Sequence, residues 1–295
     1  MLVLLLSMKK IWIFSPNQES RTQERKSIFE SQLKSLGIEI DAQAKIDTDL
    51  ALCIGGDGSL LSMIRNLGSL RTSIPVMGIH SSPGLGFLHS LSMPQDNDEI
   101  KKLAEKFSIA FKNNEFLIQN RWGLACSLLG PESNIADKKE FWAMNDCVLS
   151  KGSLSRMVRL KVSADGTILY PLLRGDGLVV STATGSTAYS FSAGGPVISP
   201  ELECMMMTPI CPHEISNRPI LLGPQSILEI EILESKSPCF LTEDGQTGME
   251  LKCGQLLRIR KSLEPVRWCI PQSQNLITKN YFELLRDKLG FGAIN

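Results

Sequence analysis

Residues Ala51–Ser62 read ALCIGGDGSLLS. An apolar run, Leu50–Ile54, meets Gly55, Gly56, Asp57 and Gly58; Ser59 and a helix-spaced apolar set at Leu60, Leu61 and Ile64 follow. The order is strand, tight glycine turn, helix N-terminus. Glycines in such a turn let the backbone approach a ligand and adopt positive φ without a Cβ clash. The helix start offers N–H groups and partial positive charge to a phosphate. Asp57 stands apart: a carboxylate beside a phosphate cradle repels the anion unless a metal ion or a substrate hydroxyl gives it a task. A purely structural turn has the same spelling, so the decision rests on the rest of the chain.

On either side the pattern is α/β. Lys10–Phe14 predicts a strand, Glu19–Leu36 a helix capped by Gly37, Ser59–Leu67 a helix, Ile74–Ile79 a strand and Pro94–Lys106 a helix. Alternating strands and helices predict a parallel sheet flanked by helices, with ligands at the carboxyl ends of its strands. Asp57 and the HSSPGLGFL segment (His80–Leu88) both fall there.

Beyond about residue 112 the rhythm changes. Glu115–Leu129 alternates, and Ala143–Ser150, Ser155–Ala164, Gly177–Thr182, Ser226–Leu233 and Leu256–Arg260 are short Val/Ile/Leu-rich runs between Gly, Asp, Ser and Pro. This predicts a β-rich second domain. Lys279–Leu289 is helical again. The expected organisation is an α/β domain of residues 1–112 joined by the C-terminal segment 272–295, and a β-rich domain of residues 113–271.

Composition narrows the function. The 295-residue length favours two domains. Lys+Arg and Asp+Glu both number 31, so no global basic field argues for nucleic acid or an anionic membrane. The eight cysteines show no CxxC spacing and sit mostly among apolar residues, the pattern of reduced thiols in a cytoplasmic protein. Three scattered histidines make no metal site, and no metal-ligating set is predicted. The opening MLVLLLS has no basic residue before it, is too short to span a bilayer and lacks a cleavage site; it reads as an extension ahead of Met8.

A second constellation, Arg174–Pro196, reads RGDGLVVSTATGSTAYSFSAGGP. Thr184, Ser186, Thr187, Ser190 and Ser192 offer donors and acceptors, Tyr189 a π-face, and Ala and Gly leave room. That suits a polar ligand with one flat ring; the alternative is a helix capped by Thr184 or Ser186. Asn145–Asp146 fits an Asx turn or a pair holding two ribose hydroxyls. Arg156, Arg159 and Arg174 are cations available to a diphosphate, or ordinary surface residues. The segment lacks the G-x-S-x-G frame of a nucleophile elbow. No Walker A loop and no Rossmann G-x-G-x-x-G follows any candidate strand.

Together these residues resemble the bacterial NAD kinase (ATP-NAD kinase) family. The likeness runs from Lys9 to Gly290 through GGDGS (Gly55–Ser59), LGFL (Leu85–Leu88), Asn145–Asp146, Asp176–Pro196 and the terminal YFELLRDKLGFG. The resemblance implies an NAD kinase/diacylglycerol kinase-like fold with a sandwich-like C-terminal domain. It implies transfer of the ATP γ-phosphoryl group to the 2′-hydroxyl of the adenosine ribose of NAD, with a divalent metal such as Mg²⁺ arriving with ATP. It also implies a homodimer or homotetramer, and no nucleic-acid or membrane partner. Residue by residue, Asp57 matches the catalytic aspartate, and Gly55, Gly56, Gly58 and Ser59 match the ATP phosphate-binding turn. Asp57, Gly58, Asn145, Asp146, Arg156, Arg174, Asp176, Thr187, Ala188, Tyr189, Ser190, Phe191, Ser192 and Gln246 fall on NAD-binding positions. Two departures stand out. Asp146 replaces the family's usual Glu, and GIHSSPGLGFL is one residue longer than the usual loop, with His80 for Asn and an added Pro83. A related kinase with another acceptor, or a non-catalytic NAD(P) sensor, carries the same turn.

Overall fold

A computed structural model describes residues 9–17, 19–82, 86–130, 139–152, 156–214, 216–233, 238–272, 276 and 280–290. The expected extension before Met8, Pro83–Leu85 of the long loop and the start of the strand expected from Ser155 lie outside the described residues. The chain divides into two compact units, residues 1–120 with 266–295, and residues 121–265.

The first unit is built on a seven-stranded sheet. Its central strand, Leu50–Gly55, pairs in parallel with Lys10–Phe14 on one side and Val76–His80 on the other. Every residue of Leu50–Gly55 is buried, which is why the sequence there is a continuous apolar run rather than an alternating one. One layer over the sheet is made by the helices Ser20–Ser35 and Asn97–Lys112, which pack through Phe29, Phe107 and Phe111. Phe29 and Phe107 meet edge to face at 5.9 Å, and Phe107 stacks on Phe111 at 5.8 Å. The second of these helices starts later than expected because Asp96 caps it, accepting N–H bonds from Asp98 and Glu99, and it runs on to bury Phe107 and Phe111. The C-terminal helix Tyr281–Leu289 opens on a capping box between Asn280 and Glu283 and stops at Gly290, φ +68°.

The two compact units divide at 120/121 and 265/266, where the sequence pattern predicts 112/113 and 271/272. Val266–Pro271 lies parallel to Val76–His80, through Trp268 opposite Val76, and Phe116–Arg121 extends the same sheet. The alternating stretch Glu115–Leu129 is therefore two strands in different sheets, split before Leu124–Leu129.

The second unit is a β-sandwich of two six-stranded sheets, its strand pairs all antiparallel where the register is defined. One sheet carries Leu124–Leu129, Val158–Ala164, Ile227–Ile232 and Leu256–Lys261 at its centre; the other carries Asp146–Lys151, Gly177–Thr182, Met205–Ile210 and Cys239–Glu243. Alternate residues from each, such as Leu160, Val162, Ile230 and Ile259 from the first and Leu149, Leu178, Val180 and Met207 from the second, form one core. Gly177 admits no other residue, because a Cβ there would lie 2.1 Å from the Leu149 carbonyl oxygen.

Candidate active site

In the first unit, the helix after the glycine turn spans Asp57–Asn66, two residues earlier than expected. Gly56 is extended (φ −93°, ψ 179°) and its carbonyl accepts the Leu60 N–H, so Asp57 sits in the first turn, where the helix dipole favours an anion. The turn needs no positive φ at Gly56. A Cβ there would meet nothing within 4 Å, so neither backbone strain nor packing within the protein demands glycine. What glycine leaves at this point is open approach to the backbone.

The Asp57 carboxylate is held by the Gly86–His89 segment. Oδ2 accepts the Phe87 N–H at 3.0 Å; Oδ1 accepts the Leu88 N–H at 3.1 Å and meets His89 Nδ1 at 2.8 Å. Gly86 is obligatory, since a Cβ would fall 2.2 Å from Oδ1. The Asp57 side chain keeps 35% exposure while the His89 ring has none. Burial pushes the Asp57 carboxyl up, but the His89 hydrogen bond and the Leu88 and Phe87 N–H groups outweigh it and hold it below the ordinary carboxylate range. His89, drawn into this site, is the residue that sequence reading left among scattered histidines. Its only signal is its place one residue after LGFL.

In the second unit, Asn145–Asp146 is not an isolated Asx turn. Asp146 opens the strand Asp146–Lys151, and Asp244 clamps the pair from the neighbouring hairpin. Asp244 Oδ2 accepts the Met144 N–H at 3.1 Å, and Oδ1 accepts those of Asn145 and Asp146 at 2.7 and 3.3 Å. The tight turn that aims it holds both Asp244 (φ +47°) and Gly245 (φ +68°) in the left-handed region. Burial, with the charge of Asp244 added, pushes the Asp146 carboxyl up to about 7. Asn145 Oδ1 is buried without a hydrogen-bond partner among the described residues. Such an acceptor is costly unless something outside the chain donates to it.

The hydroxyl-rich segment forms a 3₁₀ turn, Thr184–Thr187, and a short helix, Tyr189–Ser192, neither with a side-chain cap. The expected alternative of Thr184 or Ser186 as an N-cap is thereby corrected. Ser186 Oγ donates to the Ala183 carbonyl and accepts the Ile198 N–H, and Ser190 Oγ pairs with Thr208 Oγ1 at 2.9 Å. These buried serines fasten the segment from within. Thr187, Ala188 and Phe191 are half-buried, and Tyr189 and Ser192 are exposed.

The charged and polar candidates differ in their partners and exposure. Arg174 is bound to Glu214 at 2.6 Å and Asp176 to Lys151 at 2.8 Å, so neither is an uncommitted charge. Arg156, Arg159 and Gln246 are exposed.

Residues 144–270 match the family model described as the ATP-NAD kinase C-terminal domain. An NAD kinase of Geobacter metallireducens is 37% identical over 244 residues, 83% of this chain and 79% of its own length. One from Clostridium beijerinckii is 36% identical over 251 residues, 85% and 81% respectively. The chain belongs to the NAD kinase family. The fold agrees with a yeast NADH kinase solved with NADH (TM-score 0.83, 24% identity, 99% of this chain and 90% of that one). It also agrees with an Archaeoglobus fulgidus NAD kinase solved with ATP (TM-score 0.69, 22% identity, 93% and 98%).

The raised Asp146 group gives this chain a pH signature. Between the ordinary carboxylate range and about pH 7 the native chain keeps a proton that the unfolded chain has lost. The contribution to stability is therefore full in acid and shrinks as pH climbs toward 7. Asp146→Asn cannot ionise, so its melting temperature relative to wild type should rise by about 5 °C between pH 5 and pH 8, measured by thermal denaturation. A difference that stays constant with pH would place the proton elsewhere.

Proposed function

We propose that this chain is an NAD kinase that transfers the γ-phosphoryl group of ATP to the 2′-hydroxyl of the adenosine ribose of NAD, giving NADP and ADP. The observation that carries the chemistry is Asp57: an ionised, partly exposed carboxylate at the carboxyl end of a parallel strand, with Oδ2 bearing a single donor among the described residues. That oxygen has a lone pair left for a substrate hydroxyl.

In this reading Gly55, Gly56, Gly58 and Ser59 hold the ATP phosphates, with backbone N–H groups doing the work where Gly56 leaves the approach open. Asn145 and Asp146 take the ribose hydroxyls: the buried Asn145 Oδ1 gains the donor it lacks. Asp244 acts on the ligand through the backbone it fixes. Tyr189, 46% exposed, offers its face to a base, and Thr187–Ser192 line the nucleotide. Arg156, Arg174, Asp176 and Gln246 complete the contacts. Mg²⁺ would arrive on the nucleotide phosphates, since this ion keeps waters and takes few protein ligands. When bound it offsets phosphate charge. The reading extends to a cytoplasmic homodimer or homotetramer, supported by the family likeness and by buried free thiols such as Cys53, Cys147 and Cys269.

Phosphoryl transfer leaves the protein mainly positioning and charge stabilisation. Asp57 is held ionised and is a weak base, so its first task is to orient the hydroxyl; it takes the proton as the phosphorus–oxygen bond forms.

The test is NADP formation from Mg-ATP and NAD by the purified protein, read with an NADP-specific dehydrogenase. Turnover is expected; calorimetric NAD binding without turnover would make the chain a sensor instead. Asp57→Asn should bind NAD normally and lose kcat on the order of 10²-fold, and near-normal turnover would remove Asp57 from the role. Tyr189→Ala should weaken NAD binding by roughly 1–3 kcal/mol by calorimetry, as loss of base stacking does elsewhere. Unchanged affinity would put the ring outside the nucleotide site.

A further inference from the structure

The His89 imidazole is fully buried, yet only one of its nitrogens is used. Nδ1 lies 2.8 Å from Asp57 Oδ1, while Nε2 has no hydrogen-bond partner among the described residues. An apolar side chain of similar size would fill the space without stranding a polar atom. The surroundings are shaped for the ring. A Cβ on Gly78 would lie 2.6 Å from His89 Cδ2, and one on Gly86 would lie 2.8 Å from Nδ1. Two separate backbone segments thus give up a side chain where the ring and the carboxylate meet.

The charges around the ring decide its state. It is faced by Asp57 from the helix, by His80 edge-on at 5.1 Å from the adjoining strand, and by Lys288 from the C-terminal helix. Burial first, then His80 and Lys288, disfavour a second proton, and Asp57 only partly offsets them. The ring is neutral at neutral pH. An ionised carboxylate can only accept, so the single ring proton is on Nδ1.

We propose that His89 is the positioning residue for Asp57, fixing its carboxylate by donating Nδ1–H to Oδ1 so that Oδ2 is presented to the acceptor hydroxyl. This rests on the kinase reading of Asp57. With Oδ1 saturated by His89 and Leu88, only Oδ2 remains to receive a substrate, and it does so in one orientation. The same donor favours the ionised carboxylate, so removing it lets burial raise the Asp57 group.

Variants at this position separate orientation from packing. His89→Ala should lose kcat by roughly 10–100-fold, with KM for NAD and ATP within about twofold. The acid limb of its kcat/KM profile should move up by about one pH unit. His89→Asn, whose amide N–H reaches toward the same oxygen, should recover most of both. Equal behaviour of Ala and Asn, or an unmoved pH profile, would leave His89 as packing alone. Long-range ¹H–¹⁵N NMR of the folded wild-type protein should show His89 as the Nδ1–H tautomer, a preference lost in Asp57→Asn. An Nε2–H ring would overturn the proposal without any assay. Absence of NADP formation by wild type would overturn the kinase reading while the tautomer still decided the contact.

Discussion

The site depends on keeping an ionised carboxylate in a partly dry place. Asp57 lies where a helix begins and a strand ends, and it loses water on most sides. A carboxylate so placed either takes up a proton or finds donors. The chain supplies donors from two sources, the consecutive N–H groups at Phe87 and Leu88 and the His89 ring, and the dipole of the helix that begins there adds to them. Much of the local architecture follows from that requirement. The Gly86–His89 segment has to return to the end of the neighbouring strand, Gly86 has to lack a Cβ, and Gly78 has to leave a berth for the imidazole. The Gly86–His89 segment therefore holds the acid in place.

The second unit meets a similar demand with the opposite outcome. Asp244 receives three backbone N–H groups, whereas nothing among the described residues is found to donate to the Asp146 carboxylate. Two carboxyls in one buried neighbourhood cannot both ionise cheaply. The one with donors is the natural anion, and its charge helps raise the other toward neutrality.

Much of the first unit is legible from the chain. A strand buried on both faces must read as a continuous apolar run, and Leu50–Gly55 does. Helix existence follows from spacing, although Asp57 belongs inside its helix because Gly56 serves as the N-cap. Other features depend on distant pairings that no local pattern encodes. Met205–Ile210 contains three methionines, which carry no strand signal, and Pro209, which opposes one, and is a strand because it lies beside Gly177–Thr182. Val266–Pro271 reads like any sandwich strand, and only its pairing with Val76–His80 assigns it to the other unit. The Asp244 clamp and the His89 contact are likewise invisible in sequence. Both join residues far apart along the chain, and neither uses a spacing that a motif records.

The two aspartates of the proposed reaction thus carry opposite proton affinities, one held below the ordinary range and one raised to about 7. That split suits a reaction in which one carboxylate must be an anion at every working pH and the other only meets sugar hydroxyls. An anion facing the attacking hydroxyl polarises it and can take its proton as charge leaves the oxygen. A carboxyl near half-protonation can accept from one hydroxyl and donate to another. In the proposed reading it adds less negative charge beside the dinucleotide than a fully ionised carboxylate would. With Lys+Arg and Asp+Glu in balance overall, the chain has no global field to draw in an anionic dinucleotide. In the same proposed reading, the burial that raises Asp146 lessens the repulsion it would add as a free carboxylate.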